Sequence, residues 1–126
     1  MRVLLDTQVL VHAYGGIPLS QKVQALLAAP ETERIISAAS IMEIATKNGL
    51  GKLEMGDEET RQSARDMLLT IVPFTPQHAY KMFNLPQHHR DPFDRMLIAT
   101  ALAEDIPLIG SNSQFKKYKG LKVIWS

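Results

Sequence analysis

The stretch HHRDPFDRMLIATA, residues 88–101, sets two histidines, two arginines and two aspartates directly before a run of apolar and small residues. Asp91-Pro92 reads as a helix N-cap followed by a first-turn proline, whose missing N–H is not needed there. The residues behind it, Met96, Leu97, Ile98, Ala99, Ala101 and Leu102, make a helix over residues 92–104 apolar nearly all round. Such a helix lies at the centre of its domain. Capping gives Asp91 an adequate structural task, but Asp94 has none beyond the mild preference of a first turn for negative charge. Three positions apart, the two acids can share a side of the helix. The acidic start is therefore expected to face a cleft at the edge of a sheet.

Outward from this helix, short apolar runs alternate with stretches of helical period. Strands are expected at residues 3–5, 34–37, 71–74, 107–109 and 122–125, and helices at 7–14, 19–29, 39–48, 58–70, 76–84, 92–104 and 113–118. Strands this short and apolar suit a parallel sheet covered on both faces. Punctuation agrees, with Pro18 and Pro92 as first-turn residues, Asp57 as a cap and Asn48-Gly49 as a helix end. The expected fold is α/β, a three-layer sandwich with a central parallel sheet of about five strands flanked by helices. One domain is expected to span residues 1–126, with no internal repeat or linker. In such sheets ligands gather beyond the carboxyl ends of the strands, where strand order reverses.

The 45% apolar and 21% charged composition is that of a globular protein, and a net charge of +1 names no partner. The chain has no cysteine, which excludes disulfides and thiolate zinc sites and is compatible with a reducing, cytoplasmic setting. No signal peptide is read at Met1-Arg2-Val3-Leu4-Leu5-Asp6, and no apolar run approaches a membrane span. If several acids share one pocket, the remaining surface is left with an excess of basic residues, which suits a phosphate backbone.

Asp6 ends the first strand and precedes a helix; it is a metal-ligand candidate and, equally, an ordinary N-cap. Glu43 lies at the border of the stripe marked by Ile41, Ile44 and Ala45, where an unpaired carboxylate is costly to bury. A surface ion pair with Lys47, four residues on, is its plain alternative. Taken together, Asp6, Glu43, Asp91 and Asp94 have the hard-oxygen chemistry of a magnesium or manganese site. Without a cation they raise one another's pKa. With one, they can activate water and stabilise the leaving oxygen of a phosphodiester displacement.

At these residues the chain resembles the PIN-domain ribonucleases, in particular the VapC-like toxins of toxin–antitoxin pairs. The resemblance runs through Leu4-Leu5-Asp6-Thr7 with Val9-Leu10, then Ser40-Ile41-Met42-Glu43-Ile44 with Lys47 and Gly51-Lys52-Leu53. It continues in His89-Arg90-Asp91-Pro92-Phe93-Asp94-Arg95 with Leu97-Ile98-Ala99, and ends with Leu108-Ile109, Phe115, Tyr118 and Val123-Ile124-Trp125. It implies Mg2+- or Mn2+-dependent cleavage of RNA, with Asp6, Glu43 and Asp94 as the metal-binding core and Asp91 close by. It also implies a homodimer and a cognate antitoxin that blocks the acidic cleft. The chain departs from the family in three places: Asn112 stands where an Asp is usual, Gln8 follows Asp-Thr, and His12 replaces a frequent tryptophan. An amide at position 112 adds no charge, so a second metal ion is expected to bind less well.

The accessory candidates are Thr7, Asn112 and Arg95. Thr7 can orient a water or simply start a helix, and Arg95 can approach a phosphate or pair with an acid of the cleft. His88 and His89 can contact RNA or carry protons, but they are read as solvated or capping residues, since metal-assisted hydrolysis needs no histidine. Lys116, Lys117 and Lys119 beside Tyr118 suit either a backbone-binding edge with one stacking aromatic or a solvated helix end. Met42, Met67, Met82 and Met96 read as core filling. Besides the ribonuclease, a binding module that has lost catalysis through Asn112 accounts for the pattern. A phosphotransfer or dehalogenase-like enzyme is disfavoured, because Gln8 stands where it needs a second Asp.

Overall fold

A computed structural model describes residues 1–125. The strands are β1 (Arg2–Leu5), β2 (Glu33–Ser37), β3 (Thr70–Val72), β4 (Leu108–Ile109) and β5 (Val123–Ile124). The helices are α1 (Thr7–Tyr14), α2 (Gln21–Ala28), α3 (Ala38–Gly49), α4 (Asp57–Asp66), α5 (Pro76–Lys81) and α6 (Pro92–Glu104). Short 3-10 turns follow at Met82–Asn84 and Ser113–Lys117. All strands are parallel and stand in the order β3-β2-β1-β4-β5. This is the expected α/β sandwich.

Alternation along the strands builds the three layers. Leu4, Ile35 and Leu108 lie in register on one face and pack with Leu97, Ile98 and Ala101 of α6 and with Phe115. Val3, Leu5, Ile36 and Ile109 point to the other face, against Val9 and Leu10 of α1, Val23 and Leu27 of α2 and Ile44 of α3. Full burial of each such side chain contributes roughly 1.5–3 kcal/mol relative to exposure.

Helix α6 has the bounds read from its sequence. Asp91 caps it by accepting from the Asp94 amide at 3.0 Å, and Asp105 ends it in the left-handed region at φ 53°. Other expectations need correction. Pro18 is not a first-turn residue, since α2 begins at Gln21 and Ser20 is its cap, accepting from the Val23 amide. Asp57 is the first residue of α4 rather than its cap, and its carboxylate takes the Arg61 guanidinium instead. The third strand is not covered on both faces as expected: β3 is an edge strand whose Val72 packs against the core while Ile71 is half exposed, and Pro73, which has no N–H, ends the ladder early. The helix expected at residues 113–118 is a 3-10 turn over Ser113–Lys117, with Tyr118 already extended. Met42 is exposed, and Met55 fills the core instead.

Beyond β4 the chain passes close beneath β1. A β-carbon on Gly110 would lie 2.8 Å from Cε2 of Phe115 and 3.0 Å from Cβ of Asp6. Both neighbours are buried, so neither can retreat cheaply. Gly110→Ala is therefore expected to cost about 1–3 kcal/mol in urea unfolding. Gly49→Ala, whose added carbon meets nothing within 4 Å, is expected to be neutral or stabilising.

Candidate active site

Strand order reverses between β1 and β4, because the chain leaves β1 toward β2 on one side and returns to β4 on the other. A crevice opens at such a point beyond the strand ends. Here it is a cleft of about 380 Å³ lined by Asp6, Gln8, His12, Glu43, Lys47, Asp91, Asp94, Ser111 and Asn112. All four acids singled out in the sequence meet in it.

Asp6 follows β1 and is tied to β4 by its amide, which donates to the Ile109 carbonyl at 2.8 Å. Its carboxylate is buried, makes no cap hydrogen bond to α1, and its Oδ1 has no partner among the described residues. The plain N-cap alternative is thereby weakened. Burial, with Asp94 and Glu43 close by, pushes its pKa from 3.8 up to about 7, although the amides of Thr7 and Gln8 soften the effect.

Glu43 reaches the cleft from α3. Its Oε2 accepts from Lys47 Nζ at 2.6 Å, while Oε1 is buried without a partner among the described residues. Lys47 is itself part of the cleft wall, and its pairing with Glu43 holds the ammonium above its ordinary pKa. The expected surface pair exists, then, but it is built into the site.

Asp94 projects from the first turn of α6, with its Oδ2 at 2.6 Å from His89 Nε2. Burial and the Asp91 charge raise its pKa, and the His89 hydrogen bond opposes the rise. Asn112 turns its Oδ1 to the Gln114 amide and its Nδ2 toward His89, so its amide oxygen is committed to a cap.

Other candidates lie elsewhere. The Thr7 hydroxyl donates to Ser40 Oγ at 2.8 Å and locks α1 to α3 from a buried position. Arg95 neither faces the cleft nor pairs with an acid: its guanidinium is buried and donates to the Pro86 carbonyl, with His89 O, Leu85 O and the Tyr118 hydroxyl also in reach. Tyr118 is buried and cannot be the stacking aromatic of a basic edge. His89 was read as solvated or capping, yet it touches the cleft's central acid. Its spacing of five residues before Asp94, across a helix cap, was the available signal.

The donor set suits a hard divalent cation, and the two unpartnered buried oxygens are what such an ion would satisfy. Among the described residues no three His, Asp or Glu side chains already converge to hold an ion. Two of the acids are instead engaged by Lys47 and His89.

The class defined by this geometry is a parallel α/β domain with an acidic cleft at its topological switch point. The PIN domain family profile matches residues 3–121, and the chain belongs to that family. Its fold is similar to the crystal structure of VapBC2 from Rickettsia felis bound to a promoter DNA fragment, with a TM-score of 0.77, 22% identity and all of both chains covered. A toxin–antitoxin complex from Klebsiella pneumoniae matches with a TM-score of 0.65 and 24% identity over 97% of this chain and 95% of that one. DNA-bound VapBC from Salmonella typhimurium gives 0.69 and 15% over 98% and 97%. No curated protein matches by sequence.

The Asp6 shift has a consequence for stability. Between its unfolded pKa of 3.8 and its folded pKa of about 7, the folded state keeps a proton that the unfolded chain has lost. Stability therefore falls as pH rises through this window and levels off above it. In EDTA, thermal melts are expected to show a loss on the order of a few kcal/mol between pH 4 and 7. Asp6→Asn is expected to remove most of that slope and to melt higher than the natural chain at pH 7.

Proposed function

We propose that the chain, as one PIN unit over residues 1–126, is a metal-dependent endoribonuclease and the toxin of a toxin–antitoxin pair. The observation that carries this reading is the buried Asp6 carboxylate, with an unpartnered oxygen, beside Glu43 and Asp94 in one cleft. Burying like charges together is unfavourable unless a cation is to be bound. Mg2+ or Mn2+, when bound, supplies positive charge for the phosphoryl oxygens and eases deprotonation of a water. Asp6, Glu43 and Asp94 would hold it, with Asp91 adjacent.

The rest of the wall has its own tasks. Lys47 fixes Glu43 and brings one positive charge to the rim, where a phosphate enters. Gln8, Ser111 and Asn112 offer neutral donors for sugar and phosphate oxygens. RNA as substrate, a homodimer and a cytoplasmic setting follow from the family resemblance. An antitoxin partner is supported by the toxin–antitoxin complexes among the similar folds. Among the described residues no helix is long and apolar enough to cross a membrane.

Asp94→Asn and Asp6→Asn are each expected to lower RNA cleavage on the order of 100-fold or more without lowering the melting temperature. EDTA is expected to stop the natural enzyme, and added Mg2+ or Mn2+ to restore it. Cleavage that ignores chelation would sink the mechanism.

Asn112 supports a second reading. Its amide brings no charge and its oxygen is spent on a cap, which suits a catalytically weakened module acting by RNA or protein binding. Cleavage by Asn112→Asp but not by the natural chain would favour that module; cleavage by both favours the enzyme.

A further inference from the structure

We propose that His89 is a positioning residue for Asp94, fixing one carboxylate oxygen so that the other is left to a divalent cation; this rests on the reading of the cleft as a cation site. His89 Nε2 stands 2.6 Å from Asp94 Oδ2, and each side chain is 16% exposed. The tautomer follows from the neighbours. The Asp91 amide points at Nδ1 from 3.4 Å, which makes Nδ1 an acceptor and places the proton of the neutral ring on Nε2. That N–H donates to the carboxylate in a short, charge-assisted bond. Asn112 Nδ2, 3.1 Å from the same nitrogen, cannot also donate to it and leaves the Nε2 proton to the carboxylate. Among the described residues no hydrogen bond reaches Asp94 Oδ1.

The ring is held on several sides. The His89 amide donates to the Tyr118 hydroxyl at 3.0 Å, and Arg95 straps the same loop by donating to Pro86 O at 2.9 Å and His89 O at 3.4 Å. Phe115, fully buried next to Gly110, flanks the imidazole with ring centroids 6.4 Å apart and planes tilted by 52°. A solvated histidine requires none of this support. A carboxylate free to turn about its last bond must be ordered when it takes an ion, and a fixed outer partner removes that cost.

The test is Mn2+ affinity of the full chain without RNA, read by electron paramagnetic resonance, followed by steady-state cleavage. His89→Ala is expected to weaken Mn2+ binding about 10–100-fold and to lower kcat more than it raises KM. His89→Gln, whose amide nitrogen falls where Nε2 was, is expected to restore most of the affinity. If His89→Ala fails to fold, His89→Asn replaces it, since its amide falls at the Nδ1 position, short of Asp94. Affinity within twofold of the natural chain in the truncated variant, or no recovery with Gln, overturns the inference. Asp94→Asn separates the two levels: if it leaves Mn2+ binding unchanged, the cation reading itself fails. If it abolishes binding while the His89 variants bind normally, only the positioning role is lost.

Discussion

A carboxylate buried at the reversal of strand order is the constraint on which the structure turns. Asp6 follows β1 directly, is held to β4 through the Ile109 carbonyl, and lies so close to Gly110 that the β-carbon of an alanine at position 110 has no room. Desolvation there, together with the Asp94 and Glu43 charges, lifts its pKa to about 7. Nothing in the packing of the two cores requires an acid at this point. A domain tolerates such a group where stability is given up for chemistry.

The surrounding polar residues divide into those that face the cleft and those that hold others in place. Lys47 and His89 each engage one oxygen of Glu43 or Asp94. Thr7 and Ser40 join α1 to α3, so the start of α1 beside Asp6 and the helix bearing Glu43 cannot shift independently. Arg95 and Tyr118 fasten the loop before α6 from inside the core. In each case a buried or partly buried polar group meets a partner, which avoids the penalty of an orphaned polar group. Among the described residues, the exceptions at Asp6 Oδ1 and Glu43 Oε1 both belong to acids of the cleft wall, and the buried Gln114 Oε1 also lacks a partner, for which nothing in its surroundings accounts.

Much of this was legible beforehand. Helix α6 could be bounded from Asp91-Pro92 and the apolar run behind it, because cap and period are local properties. The alternation of short strands and helices named the sandwich, and strand-end position singled out Asp6. Local rules erred where context prevailed: β3 reads as a buried strand but lies at the sheet's edge, and Met42 reads as core filling but faces solvent.

By itself the sequence determined the element order, the parallel class and the acids of the cleft, since periodicity and strand-end placement are properties of neighbouring residues. Only tertiary structure decided what the histidines and arginines beside those acids do. Arg95 follows Asp94 directly, yet a helix turns about 100° per residue, so Asp94 reaches the cleft while Arg95 enters the core. His89 reads from sequence as a solvated or capping residue, and the fold brings it to Asp94 because a loop fastened by Arg95 and Tyr118 folds back over the start of α6. Such contacts depend on distances through space, and spacing along the chain does not encode them.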